Sequence, residues 1–144
     1  MYRSDENLPR IMKVTPSGTR AGVLFALCTA QPTMQVNGIE TSLNQVAKFG
    51  LNRDWYHRSS APCAWGTMSL TPEDLAAAGE TIIGRELAPP TFAHSVTPPL
   101  AALSQLRKLH EAAGHLAKTA PDILAKPEVA RAMEQVWWKR WFSA

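Results

Sequence analysis

Four histidines and two cysteines are the residues of this 144-residue chain best suited to hold a metal or move a proton. His110 and His115 sit in His110-Glu111-Ala112-Ala113-Gly114-His115, which at a glance matches a zinc-protease helix. Such helices place two histidines four residues apart, on one face. A spacing of five turns the second imidazole by roughly 140°. The pair is therefore expected to flank an apolar face, not to share an ion. His57, in Asp54-Trp55-Tyr56-His57-Arg58, lacks the second histidine at one-residue spacing that a cupin-type metal site needs, and His94 stands alone. His57 reads as a strand residue that lines a pocket or meets a backbone carbonyl. Cys28 and Cys63, 35 positions apart in apolar stretches, read as reduced buried thiols. Ser59-Ser60 beside His57 has loop composition, and adjacency in sequence is not triad geometry. Nucleophile elbow, Cys-x-x-Cys, Walker loop and dinucleotide fingerprint are all missing from the sequence. No catalytic residue, metal or cofactor is expected.

Aromatic side chains offer a second kind of chemistry. Phe25, Trp55, His57 and Trp65 are candidates to wall a pocket for a small apolar or mixed ligand. Trp137-Trp138-Lys139-Arg140-Trp141-Phe142 puts four aromatics into six residues of one helix, more than can all face inward. A protein-facing patch is the economical reading, since two cations are few for membrane docking or base stacking.

The elements that position these residues fall into two halves. Before about residue 97, short apolar runs broken by Gly, Pro, Asn and Ser have the texture of a sheet. The run 23–29 predicts a strand buried on both sides. Met34-Gln35-Val36-Asn37-Gly38-Ile39-Glu40 predicts a tight hairpin, with Asn37-Gly38 at the positive-φ positions of a type I′ turn. Stretches 46–51, 55–58 and 63–70 are further strands, which together suggest a small antiparallel sheet or partial barrel. Thr71-Pro72-Glu73-Asp74 opens a short helix that Gly79 is expected to end. A much longer helix is predicted over 98–118, where Ala102, Leu106, Leu109, Ala113 and Leu116 form a continuous apolar seam. Pro121 and Pro127 restart the chain as two more helices, the second with Val129, Met133, Val136 and Trp137 as its apolar face.

Composition adds bounds. With 45% apolar and 19% charged residues, the chain is neither disordered nor low in complexity. Fifteen Lys and Arg against twelve Asp and Glu leave a net +3, which is little for a nucleic-acid module. The segment after residue 120 lacks the Arg, Asn and Gln cluster of a DNA-reading helix. The apolar run 21–30 lies too far from the start, behind Pro9, Pro16 and Gly18, for a secretory signal. No run approaches the ~20 residues of a membrane span. A cytoplasmic protein with no membrane and no direct nucleic-acid contact is expected.

Two stretches resemble a known family. One is Ser60-Ala61-Pro62-Cys63-Ala64-Trp65-Gly66-Thr67-Met68-Ser69-Leu70-Thr71-Pro72-Glu73-Asp74-Leu75, with Gly84-Arg85-Glu86-Leu87 and Pro89-Pro90 after it. The other runs from Leu106-Arg107-Lys108-Leu109-His110-Glu111 through Ala120-Pro121-Asp122-Ile123-Leu124 to Pro127-Glu128-Val129-Ala130-Arg131-Ala132-Met133-Glu134-Gln135. Together they resemble the region upstream of the DNA-binding domain in bacterial AraC-type transcriptional regulators, over roughly residues 23–135. The resemblance implies a cupin-like sensor half, residues 1–96, followed by helices that often mediate dimerisation, residues 97–144. It places the helix-turn-helix domain beyond the end of this chain. The expected fold is α+β: a small antiparallel sheet or partial cupin-like barrel, then a helical hairpin. The expected function is noncatalytic sensing, with a dimer through the helices. The Leu106, Leu109 and Leu116 seam is expected to pack on the sheet or on a second copy, and Trp137 and Trp141 are further packing or dimerisation positions. A small cupin-like enzyme, or DNA binding through the helical half, are the alternatives.

Overall fold

The computed structural model describes residues 2–14, 19–27, 34–51 and 54–142, with the side chains of residues 2, 134 and 137–142 excluded. Cys28 and the indoles of Trp137 and Trp141 lie outside the described residues. The fold is α+β, built from two open antiparallel sheets and a layer of helices rather than a closed barrel.

The first sheet has five strands. It contains β1 (Tyr2–Glu6), β3 (Ala21–Ala26), β6 (Val46–Phe49), β8 (Cys63–Leu70) and β9 (His94–Val96), in the order β1-β8-β3-β6-β9. The second sheet comprises β2 (Arg10–Val14), β4 (Met34–Val36), β5 (Ile39–Thr41) and β7 (Trp55–Ser59), in the order β2-β7-β4-β5. Four helices follow or interrupt the strands: α1 (Pro72–Ile83), α2 (Leu100–Thr119), α3 (Pro121–Leu124) and α4 (Pro127–Phe142).

Strand parity divides the core in two. On β3, Leu24 and Ala26 pack toward the second sheet with Met34, Val36, Ala47, Trp55, Cys63 and Trp65. Ala21, Val23 and Phe25 point the opposite way, onto Leu75 of α1 and Leu103, Leu106 and Ala113 of α2. The five-stranded sheet is therefore the middle layer, and every residue of β3 is buried. This is why 21–26 reads as an unbroken apolar run instead of an alternating one.

Local signals account for most boundaries. Asn37 (φ 52°) and Gly38 (φ 78°) make the predicted hairpin turn, and Asn37 Oδ1 accepts the Tyr56 N–H at 2.8 Å, tying the turn to β7. Thr71 Oγ1 caps α1 by accepting from the Asp74 N–H at 3.2 Å. Gly79 does not end that helix. It is buried inside it, where a β-carbon would stand 2.7 Å from Leu87 Cγ of the returning chain, and the left-handed Gly84 (φ 70°) ends it instead. The long helix starts at Leu100, two residues later than predicted, with Pro99 at its cap.

The apolar seam of α2 is spent on the sheet. Ala102, Leu106 and Ala113 are buried, and Leu109 packs against the same cluster. Leu116 is half-buried. Arg107 pins the helix in place: its Nε donates to the Ala26 carbonyl at 2.8 Å and its terminal nitrogen donates to the Leu43 carbonyl. His110 is fully buried, edge-on to Phe25 with ring centroids 5.4 Å apart, and sits over Gly66. His115 is exposed, so the two imidazoles diverge as their spacing dictates.

A β-carbon at Gly66 would stand 2.7 Å from His110 Nε2. Gly66→Ala should therefore destabilise the fold by about 1–3 kcal/mol, as overpacking commonly does. Adding His110→Ala to that variant should cost less than the two single losses summed. Urea denaturation of the four proteins checks both outcomes; simple additivity would exclude the contact.

Candidate functional site

The interior between the sheets holds a polar cluster around Glu6. Pairing of β1 with β8 sets Glu6 opposite Cys63, on the inward face with Trp65 two residues on. Glu6 is 5% exposed and accepts three donors: Trp65 Nε1 at 2.9 Å, Ser59 Oγ at 3.2 Å and the Cys63 thiol at 3.8 Å. Ser59 belongs to the opposite sheet, and its Oγ also accepts the Arg10 N–H at 3.2 Å. One carboxylate thus clasps both sheets, and a buried charge is tolerated there because its oxygens are met by donors. At the other margin Thr41 Oγ1 and Ser95 Oγ, 3.0 Å apart, join β5 to β9. Cys63 is a buried thiol outside any disulfide.

Along β7, alternation sends Trp55, His57 and Ser59 inward and Tyr56 and Arg58 outward. His57 is fully buried, and its ring stands 5.3 Å from that of Trp65 at 63°. Neither imidazole nitrogen has a hydrogen-bond partner among the described residues, nor does Trp55 Nε1. These unmet groups are costly by nature. Burial holds the His57 pKa below its ordinary value, against the smaller opposing pull of the Glu6 carboxylate. Burial therefore favours the neutral imidazole in the folded protein.

Trp55 also forms part of the wall of an open cleft of about 210 Å³. Among the described residues, Asn37, Phe49, Gly50, Asp54, Thr91, Phe92 and Ala93 also line it. Phe49 and Trp55 stack at 5.4 Å and 24°. A β-carbon at Gly50 would run into the Pro90 carbonyl, so a glycine there lets the 89–93 segment cross close to β6. Phe92 on that segment is 63% exposed, and Asp54 pairs with Lys13 at 2.6 Å.

The four pocket residues read from sequence do not form one wall. His57 and Trp65 touch, and Trp55 shares their interior cluster and lines the cleft. Phe25 stands on the helix side of β3, because it is one residue out of phase with Leu24 and Ala26. Sequence reasoning missed Glu6, Phe49, Asp54 and Phe92. Glu6 lay in a polar pentapeptide that resembles a solvated end, and only the β1–β8 register reveals its direction. His94 is exposed on β9, its Nδ1 3.1 Å from the Phe92 carbonyl. Among the described residues no three His, Cys, Asp or Glu side chains converge as metal ligands, and no helix is long and apolar enough to cross a membrane.

Two measurements follow from this geometry. Glu6→Gln replaces one acceptor oxygen by a donor and should cost about 1.5–3 kcal/mol of unfolding free energy, the usual worth of hydrogen bonds to a charged group. Separately, the unfolded chain takes up a proton at His57 near the ordinary histidine pKa of ~6.5, whereas the folded chain takes it up only at lower pH. Stability should be complete above that pH and fall as the solution is acidified below it. Urea midpoints between about pH 7.5 and 5.5 should show a shallower fall in His57→Gln than in the unaltered protein. An unchanged slope would assign the acid sensitivity elsewhere. No family model matches this chain, and no curated protein sequence matches it.

Proposed function

We propose that the chain is a noncatalytic sensor and dimerisation module related to AraC-type transcriptional regulators, in which the sheet half takes a small ligand. The observation that carries this reading is the aromatic cleft at the sheet margin, where Phe49 stacks on Trp55 beside the exposed Phe92. Concave sites with apolar walls and a few polar groups suit small-molecule binding. The polar cluster at Glu6 supports a structural role better than a catalytic one, because Glu6, His57, Ser59 and Cys63 are all buried.

Dimerisation through the helices calls for residues other than the seam. Leu106 lies in the core, so it supports the fold and cannot face a second copy. Among the described residues, large apolar side chains that face outward from the helices are Ile83 on α1, Leu100 on α2, Ile123 on α3 and Val136 on α4. Expected outcomes separate these roles. Leu106→Glu should unfold the protein. The pair Ile123→Glu and Val136→Glu should halve the mass measured by light scattering while leaving thermal stability within a few degrees. A monomeric unaltered protein would refute the dimer, and an unaffected dimer in the double variant would move its interface away from α3 and α4.

A further inference from the structure

We infer that Asn37 is a site of spontaneous covalent change, in which the Gly38 nitrogen displaces the Asn37 side-chain amide once the hairpin turn opens. The asparagines of the chain are Asn7, Asn37, Asn44 and Asn52, followed by Leu8, Gly38, Gln45 and Arg53. Asn37 alone precedes a glycine, so no neighbouring side chain crowds the attacking nitrogen. Asn37 and Gly38 are both exposed, and nothing beyond its chain neighbours lies within 4 Å of where a Gly38 β-carbon would stand. Water therefore reaches the site. In the first step the Gly38 nitrogen bonds to Asn37 Cγ, its proton passes to the departing Nδ2, and ammonia leaves. Water then opens the cyclic imide at either carbonyl. One opening gives aspartate; the other gives isoaspartate, whose backbone runs through the former side chain.

The folded turn holds the reacting atoms apart. Asn37 has φ 52°, in the left-handed region, where ψ is about +47°. That ψ sets the Gly38 nitrogen nearly trans to the Asn37 β-carbon about the Cα–C bond, out of reach of Cγ. Attack requires the peptide plane to swing round until nitrogen and β-carbon stand on one side. Two hydrogen bonds to β7 oppose the swing. The Asn37 N–H donates to the Tyr56 carbonyl and Asn37 Oδ1 accepts the Tyr56 N–H, both at 2.8 Å. Cyclisation therefore proceeds from the molecules whose turn has opened, and its rate follows their fraction. The two products then differ. An aspartate keeps an oxygen for the Tyr56 N–H and accepts positive φ. An isoaspartate lengthens the turn by one backbone bond and draws the old acceptor into the main chain. Asn37 also lines the cleft beside Trp55, so this change reaches that wall.

The full chain is aged in mildly alkaline buffer and, in parallel, in urea sufficient to unfold it. Peptide mapping then follows mass and isoaspartate content at each asparagine. In urea Asn37 should convert well ahead of Asn7, Asn44 and Asn52. In the folded protein it should convert at least about tenfold more slowly than in urea, the ratio for a turn open in at most a tenth of the molecules. Ile39 is 52% exposed on the second arm of the hairpin. Ile39→Gly weakens that arm and should raise the folded rate about two- to fivefold, leaving the rate in urea unchanged. The isoaspartyl form, separated by chromatography, should unfold at lower urea than Asn37→Asp. Asn37 keeping pace with the other asparagines in urea would overturn the site. Equal rates in folded and unfolded chains, or no rise in Ile39→Gly, would overturn the gating by the turn. Coincident urea midpoints for the isoaspartyl form and Asn37→Asp would overturn the loss of the turn.

Discussion

Everything in this fold depends on one sheet being asked to serve two cores. The five-stranded sheet meets the second sheet on one face and the helices on the other, so β3, its central strand, is apolar and buried at consecutive positions. Strand parity then becomes the strictest rule in the molecule. A slip of one residue in β3 would exchange Phe25 with Leu24, sending a large ring between the sheets and leaving His110 without its aromatic neighbour. The same parity decides which residues can act together. It gathers Glu6, Cys63 and Trp65 from the first sheet with His57 and Ser59 from the second, and it keeps Phe25 out.

The contrast between the two faces is chemical as well as geometric. The helix-facing core is almost wholly aliphatic, apart from Phe25 and the His110 imidazole beside it. The face between the sheets mixes indole, imidazole, thiol, hydroxyl and carboxylate in one volume. Low-polarity surroundings strengthen the contacts that are made and penalise those that are not. Glu6 illustrates the first case, with donors on both oxygens. His57 and Trp55 illustrate the second, their ring nitrogens buried with no hydrogen-bond partner among the described residues.

Much of this architecture could be read from residue order alone. Asn37-Gly38 named its hairpin because few dipeptides accept two positive φ angles, and Thr71-Pro72 named the start of α1 because a hydroxyl cap and a fixed φ both suit that place. The period of the α2 seam was equally legible. What escaped were elements whose identity comes from their neighbours. Tyr2–Glu6 is a charged edge strand and His94–Val96 is three residues long, so neither carries an apolar pattern of its own. The candidate site suffered for the same reason. Trp55, His57 and Trp65 were visible as residue types, whereas Glu6, Phe49 and Phe92 gained meaning only through strand register and chain crossing. Gly79 misled because a glycine near a predicted helix end fits both a stop and a close approach, and here the returning Leu87 decides for the latter.

Arg107 carries a last consequence. Its guanidinium bridges two carbonyls, at Ala26 at the end of β3 and at Leu43 in the turn before β6, that are 17 residues apart in the chain. The reach of one side chain therefore fixes how far those two segments stand from the helix axis. Added length in the backbone at 26 or 43 would therefore pull an anchoring carbonyl off the guanidinium that ties α2 to the sheet.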